Sequence, residues 1–385
     1  MSDNVSQLYS QQPKKVIVRI ATFALVVLFV VALVAAFLFA DELNFDSVRR
    51  YVKYLSVTKA ETEAQFSFDA HSGNRYAGVN DGLAVASVSG LILMDADGEV
   101  TESVDAEMRA VALMEENGTV LAYDVGGNHL RVIGEKTSYE AVTERGILDA
   151  DLSSDGSFCY SVPEAGYKSV VYVINHDGTM RYRWLSSSRY MPLCTVSNGG
   201  KYLAAVSLGQ QNGIFQSVMH VFKTDAEEPL ASVTLGSELL CDLEFLADGT
   251  LYAIGQDSTI WMQMDGTLLG RYRYGDAELR DFDGNGDGFL TLSLNRNRTG
   301  DRYAVLTLAP DGSVLGEVAL TEEALDISAC GRYVAVLTSN SLRIYNDSMK
   351  LYAEKENAAG ASDVIMRADG SAVLISGGEG MLFIP

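Results

Sequence analysis

Basic residues are scarce in this 385-residue chain: 29 Lys and Arg stand against 51 Asp and Glu, a net charge of −22. The first 62 residues hold seven of the positives and five of the acids, which leaves 22 positive against 46 negative residues in the remainder, a net of −24. Nucleic-acid binding depends on neutralising phosphates with basic side chains, so no nucleic-acid partner is expected. The acidic balance most simply serves solubility. Histidine is also sparse: His71, His129, His176 and His220 fall in no catalytic motif. A Gly-x-Ser-x-Gly elbow, a His-Glu-x-x-His pair and a phosphate-cradling Gly-x-x-x-x-Gly-Lys-Ser/Thr loop are all missing. The nearest approach to a sialidase-type Asp box, Ser153-Ser-Asp-Gly-Ser-Phe158, lacks the spacing. Cys159, Cys194, Cys241 and Cys330 lie far apart with no Cys-x-x-Cys, which removes zinc and redox motifs. In an exported chain they permit up to two disulfides, and buried free thiols account for them equally well.

What is present begins with an apolar run. Ile20 to Ala40 are 21 consecutive uncharged residues, enough at about 1.5 Å per helical residue to span about 30 Å of hydrocarbon. A cleaved signal peptide would have a shorter apolar region followed by small residues two apart, and Ala36-Phe-Leu-Phe-Ala40 offers no such site. The expected organisation is a cytoplasmic tail over 1–15, a transmembrane helix over 16–40, a stalk over 41–62 and an extracytoplasmic domain over 63–385. Lys14, Lys15 and Arg19 abut the run on its amino side, whereas Asp41 and Glu42 begin the far side. That contrast favours a cytoplasmic N-terminus in a single-pass cell-membrane protein, although Arg49, Arg50, Lys53 and Lys59 follow. Those positives have their own account: Val48, Tyr51, Val52 and Leu55 follow helical spacing with Arg49, Arg50 and Lys53 opposite. The segment reads as an amphipathic helix at the membrane surface, or as a plain stalk packed on the domain.

A repeat supplies the fold class. A small-residue turn ending in Gly, flanked by alternating apolar runs, recurs at Gly82, Gly118, Gly156, Gly200, Gly249, Gly288, Gly331 and Gly370. Second turns follow in several units, at Asp97-Gly98, Asp177-Gly178, Asp265-Gly266 and Asp311-Gly312. Asp-Gly between apolar runs is a hairpin signal. A four-stranded unit of about 40 residues repeated many times marks a β-propeller. The expected fold is all-β, with eight blades, or seven if one turn is misassigned. The last unit is one strand short, and Glu63 to Ala70 is expected to supply it, closing the ring and removing exposed edges.

Three units carry extra length between their second and third strands, over 162–168, 208–215 and 294–302, all on one face of a propeller. Read as expanded loops, they offer Glu164, Tyr167, Gln210, Gln211, Asn212, Phe215, Asn295, Arg296, Asn297 and Arg298 as a candidate ligand-binding face. Asp281-Phe-Asp-Gly-Asn-Gly-Asp-Gly288 opens like a calcium loop, with Asp281, Asp283, Asn285 and Asp287 as candidate Ca2+ ligands. Its twelfth position is Leu292 or Leu294 rather than Glu, so an ordinary Asp/Gly-rich turn is the competing reading and no cofactor is expected. With its apolar anchor, its Asn44-Phe-Asp-Ser-Val-Arg-Arg-Tyr51 stalk and its blade repeats, the chain resembles a family of membrane-anchored propeller proteins from clostridia and related Gram-positive bacteria. That family has no established activity, so the resemblance carries over no functional residue. A more distant similarity to WD40-like and quinoprotein-like propellers implies fold alone. The functional expectation is a non-enzymatic binding or scaffolding module for a protein, peptide or glycan of the cell envelope. The alternative is a polysaccharide-active enzyme with a carboxylate pair in the channel.

Overall fold

The computed structural model describes residues 64–246, 248–297 and 301–385, together with Val27, Val30, Arg50, Lys53 and Tyr54. The chain divides into two compact units, Met1–Val57 and Thr58–Pro385. The transmembrane helix expected over 16–40 and most of the stalk lie outside the described residues. Val27, Val30, Arg50 and Lys53 are helical, and Tyr54 N–H donates to the Arg50 carbonyl at 2.9 Å, a helical i to i−4 bond. Among the described residues no helix is long and apolar enough to cross a membrane.

Residues 66–383 form eight four-stranded antiparallel sheets. Blades 1 to 7 cover 75–105, 111–142, 149–186, 190–236, 240–273, 278–320 and 324–356, and blade 8 joins 363–383 to Phe66–Ser67. Eight blades are thus present rather than seven. Phe66 pairs with Gly380 and Ser67 with Glu379, so the chain's early strand closes the ring as expected.

Burial follows from the arrangement. A blade is covered on both faces by its neighbours, so its middle strands read as continuous apolar runs: Phe289–Asn295 and Tyr333–Thr338 are buried at every position. Outer strands such as Leu351–Glu356 alternate with exposed charged residues, a pattern that blunts open sheet edges. The core therefore lies between blades; Tyr252 and Trp261 of blade 5, for example, pack on Leu290, Leu292 and Leu306 of blade 6. Seven of the eight repeat glycines have φ between +59° and +86°, which is why Gly marks these turns. Gly82 differs. Asn80 and Asp81 make its turn at φ +46° and +67°, and Gly82 opens a strand where a Cβ would lie 2.0 Å from the Met94 carbonyl oxygen. All four cysteines are free thiols, with Cys159 and Cys194 fully buried.

Candidate binding face

Antiparallel order within each blade puts the second-to-third hairpins and the connections between blades on one face, here the connection face. Two of the three expected loops prove to be something else. Phe158–Glu164 and Tyr167–Ile174 are joined by two residues, as are Tyr202–Gln211 and Ile214–Lys223. In the second case Asn212 and Gly213 have φ +54° and +77°, both positive as a type I′ turn requires. The extra length is spent on strand. Between Phe289–Asn295 and Tyr303–Leu308, residues 296, 297, 301 and 302 lie outside any strand.

Blade 4 goes further. Its first strand pairs with its second only as far as Tyr190 opposite Leu208, and its fourth with its third only as far as Gly236 opposite Ser217. Residues 209–216 therefore overhang the sheet as a bare two-stranded ribbon. In blades 1, 5, 6 and 7 the third strand begins flush with the end of the fourth, at Gly90–Asp105, Ser258–Arg273, Tyr303–Leu320 and Ser341–Glu356, whereas in blade 3 it begins two residues ahead of the Ser169–Ser186 pair.

Around this ribbon the connection face of blades 3 to 5 is apolar and aromatic. Ile214 is 68% exposed, Tyr190 51%, Leu239 47% and Tyr167 39%. Of the residues expected from sequence, Tyr167, Gln210 and Asn212 are exposed here and Phe215 is half-buried; Gln211 closes the ribbon opposite Ile214. Glu164 is committed locally, accepting a hydrogen bond from the Tyr172 hydroxyl. The other expected group sits on blade 6. Asn295 is buried, and its Oδ1 accepts the Asn297 N–H at 3.1 Å and the Arg302 N–H at 3.4 Å, so it shapes the loop. Arg296 pairs with Glu317 at 2.8 Å and donates to the Tyr272 hydroxyl at 3.2 Å. Arg298 lies outside the described residues.

Three residues not anticipated from sequence stand beside the ribbon: Lys168, Arg189 and Tyr190. Ser169, opposite Ser186 in blade 3, accepts the Met191 N–H at 3.0 Å, and the Ser186 hydroxyl donates to the Arg189 carbonyl at 2.9 Å. These bonds set Lys168 Nζ 5.3 Å over the Tyr190 ring. The Arg189 side chain lies across Gly209, where a Cβ would meet Arg189 Cγ and Nε at 3.2 Å. Its Nη1 is buried without a hydrogen-bond partner, and among the described residues neither Lys168 nor Arg189 has a carboxylate partner. Burial, then the Arg189 charge, pulls His220 down to about 4; the neutral ring bonds Ser207 and Ser232, each at 2.9 Å. A charge window would have found the group. Residues 165–223 hold Lys168, Arg181, Arg183, Arg189, Lys201 and Lys223 against Asp177 alone, in a strongly acidic chain.

The acids of the calcium-like segment belong to another pattern. Asp281 accepts the Ile327 N–H at 3.3 Å and Asp283 the Ala329 N–H at 2.9 Å, both from the first strand of the next blade. The same bonds recur from Asp149 to Cys194 at 2.7 Å, Asp151 to Val196 at 3.0 Å and Asp326 to Val364 at 2.7 Å. The inner edge of a blade would otherwise leave backbone N–H groups unpaired, and these side chains form a belt that satisfies them. Asn285 N–H donates to Asp283 at 2.7 Å, and Asp287 N–H donates to the Gly331 carbonyl at 2.7 Å. Three of the four candidate calcium ligands thus bond to blade 7, Asp281 and Asp283 through their carboxylates and Asp287 through its backbone. Among the described residues no three His, Cys, Asp or Glu are placed to hold a metal ion. Desolvation lifts the belt's carboxyls, Asp283 to about 6, Asp151 to about 7 and Asp326 to about 8. Blade 5 departs from the pattern: Glu244, held well above the usual carboxylate range by burial, accepts from the Tyr252 hydroxyl.

A family model described as a family of unknown function, DUF5711, matches residues 51–383. The chain belongs to that family. Among solved structures this DUF5711 propeller is similar to the C-terminal WD40 domain of Sif2, at 13% identity and TM-score 0.57 over 84% of this chain and 98% of that one. It is also similar to BamB from Moraxella catarrhalis, at 14% identity and TM-score 0.52 over 83% and 98%. Likeness at such identity establishes the propeller fold alone. No curated protein sequence matches the chain.

Proposed function

We propose that this protein is a membrane-tethered, extracytoplasmic propeller that binds a protein, peptide or glycan of the cell envelope through the connection face of blades 3 to 5. The observation that carries the reading is the overhanging ribbon 209–216, with Ile214 at its tip and Tyr167, Tyr190 and Leu239 exposed around it. Exposed apolar and aromatic clusters on a rigid scaffold are the usual material of recognition surfaces. The apolar run from Ile20 to Ala40 supports the tether. A binding role rather than hydrolysis is supported by the belt, since Asp149, Asp151, Asp281, Asp283 and Asp326 are each occupied by backbone of the next blade. The test places a photo-crosslinking residue at Ile214 of the full chain in intact cells, with the same residue at the exposed Leu315 of blade 6 as control. A discrete adduct from position 214 and none from 315 is expected. Equal yields at both positions, or none at 214, would show that this face binds nothing.

A further inference from the structure

Arg189 and Lys168 present an arrangement that the binding reading does not by itself explain. Both are held at the junction of blades 3 and 4 by the Ser169 and Ser186 bonds. Neither meets a carboxylate among the described residues, in a chain with a net charge of −22. By contrast Arg296, on the same face in blade 6, meets Glu317. Arg189 also keeps Nη1 buried without a partner, and Gly209 leaves room for its guanidinium where a side chain would press on it. Nε and Nη2 of the same guanidinium are not sealed in this way, and that edge suits a planar two-oxygen acceptor bonded bidentately.

We infer that Arg189 and Lys168 form a carboxylate-binding site for an acidic polypeptide segment that also covers Ile214 and the Tyr190 ring. The inference rests on the binding reading above and names its partner chemistry. A polypeptide is favoured over a glycan because Ile214 and Leu239 need apolar side chains to cover them. A second copy is disfavoured because two chains of this charge repel each other.

The test uses the full chain in detergent micelles and two labelled 12-residue peptides, one alternating Glu with Leu, the other Gln with Leu. The Glu peptide should bind about tenfold or more tightly than the Gln peptide, as expected for a charge-assisted bidentate pair, and should weaken as salt is raised. The double variant K168Q/R189Q should erase the difference, and R189K should restore part of it. Thermal unfolding of each variant confirms that the ring is intact. Equal binding of the two peptides overturns the inference, as does tighter binding of polygalacturonate or poly(glycerol phosphate) than of the Glu peptide. So does concentration-dependent self-association that occupies the face. If the Glu peptide shows no preference while the position-214 adduct persists in cells, the inference falls and the binding face stands. Loss of that adduct removes both.

Discussion

Arg189, between blades 3 and 4, and Arg296 of blade 6 stand on the same face of the same ring, and their surroundings are opposite. Arg296 is tied to Glu317 and Tyr272, over a loop whose backbone is organised by buried Asn295. Arg189 lies over a glycine beside a ribbon that carries no charged side chain between Gly209 and Gln216. Below both connections the engineering is identical: Asp151 reaches from blade 3 to Val196, and Asp283 from blade 6 to Ala329. At these two junctions the inner bond is the same while the connections above it diverge, and it is the connections that vary in availability to a partner.

The largest effects should come from the shared part. Asp151→Ala strands the Val196 N–H and the Thr195 hydroxyl, and Asp283→Ala strands the Ala329 N–H. Each should cost about 2–4 kcal/mol in denaturant unfolding, by the cost of leaving buried donors unsatisfied. A loss below about 1 kcal/mol at one of the two sites alone would break the equivalence of these two junctions. The belt also sets a pH dependence. Asp151, Asp283 and Asp326 titrate higher folded, at about 7, 6 and 8, than the value of about 3.9 for an unfolded Asp. The folded state then binds more protons than the unfolded chain between these limits. Stability from these groups is full below about pH 4 and is lost as pH rises through about 6 to 8. The melting temperature should be higher at pH 5 than at pH 8, and Asp151→Asn should flatten part of the slope.

Smaller effects separate the two connections. Asn295→Ala should cost about 1–2 kcal/mol, because two loop N–H groups lose their buried acceptor. Arg296→Ala should cost about 0.5–1 kcal/mol, since the pair is partly exposed, with the Glu317 side chain 43% accessible. Arg189→Ala should change stability least, by less than about 0.5 kcal/mol. Urea titrations of the three variants would reverse the comparison if Arg189 proved the costlier arginine.

Much of the fold was legible because blade geometry writes itself into local chemistry. Positive φ at the turns selects Gly, double-sided burial produces unbroken apolar runs, and a final unit one strand short points to Phe66 and Ser67. The candidate site was less legible, for two reasons. Segment length alone does not distinguish a loop from an overhanging strand, although Asn212-Gly213 between alternating runs carried the hairpin signal. The pairing of Arg296 with Glu317 and the isolation of Arg189 depend on which strands lie opposite, which local sequence does not encode. The Asp-x-Asp phrases were ambiguous in a related way: alternate carboxylates suit a cation, and they suit the N–H row of a neighbouring strand equally well.

Closure by Phe66–Ser67 also orders events in time. The strand is made before any blade, yet its partner Glu379–Phe383 comes after all the others. Until then Phe66 has no sheet edge to join. Blades can pack pairwise as they emerge, but the ring locks only once blade 8 exists. Release of a nascent chain short of Glu379 would leave seven complete blades and an open seam, a form that quality-control proteases could recognise by its exposed edge.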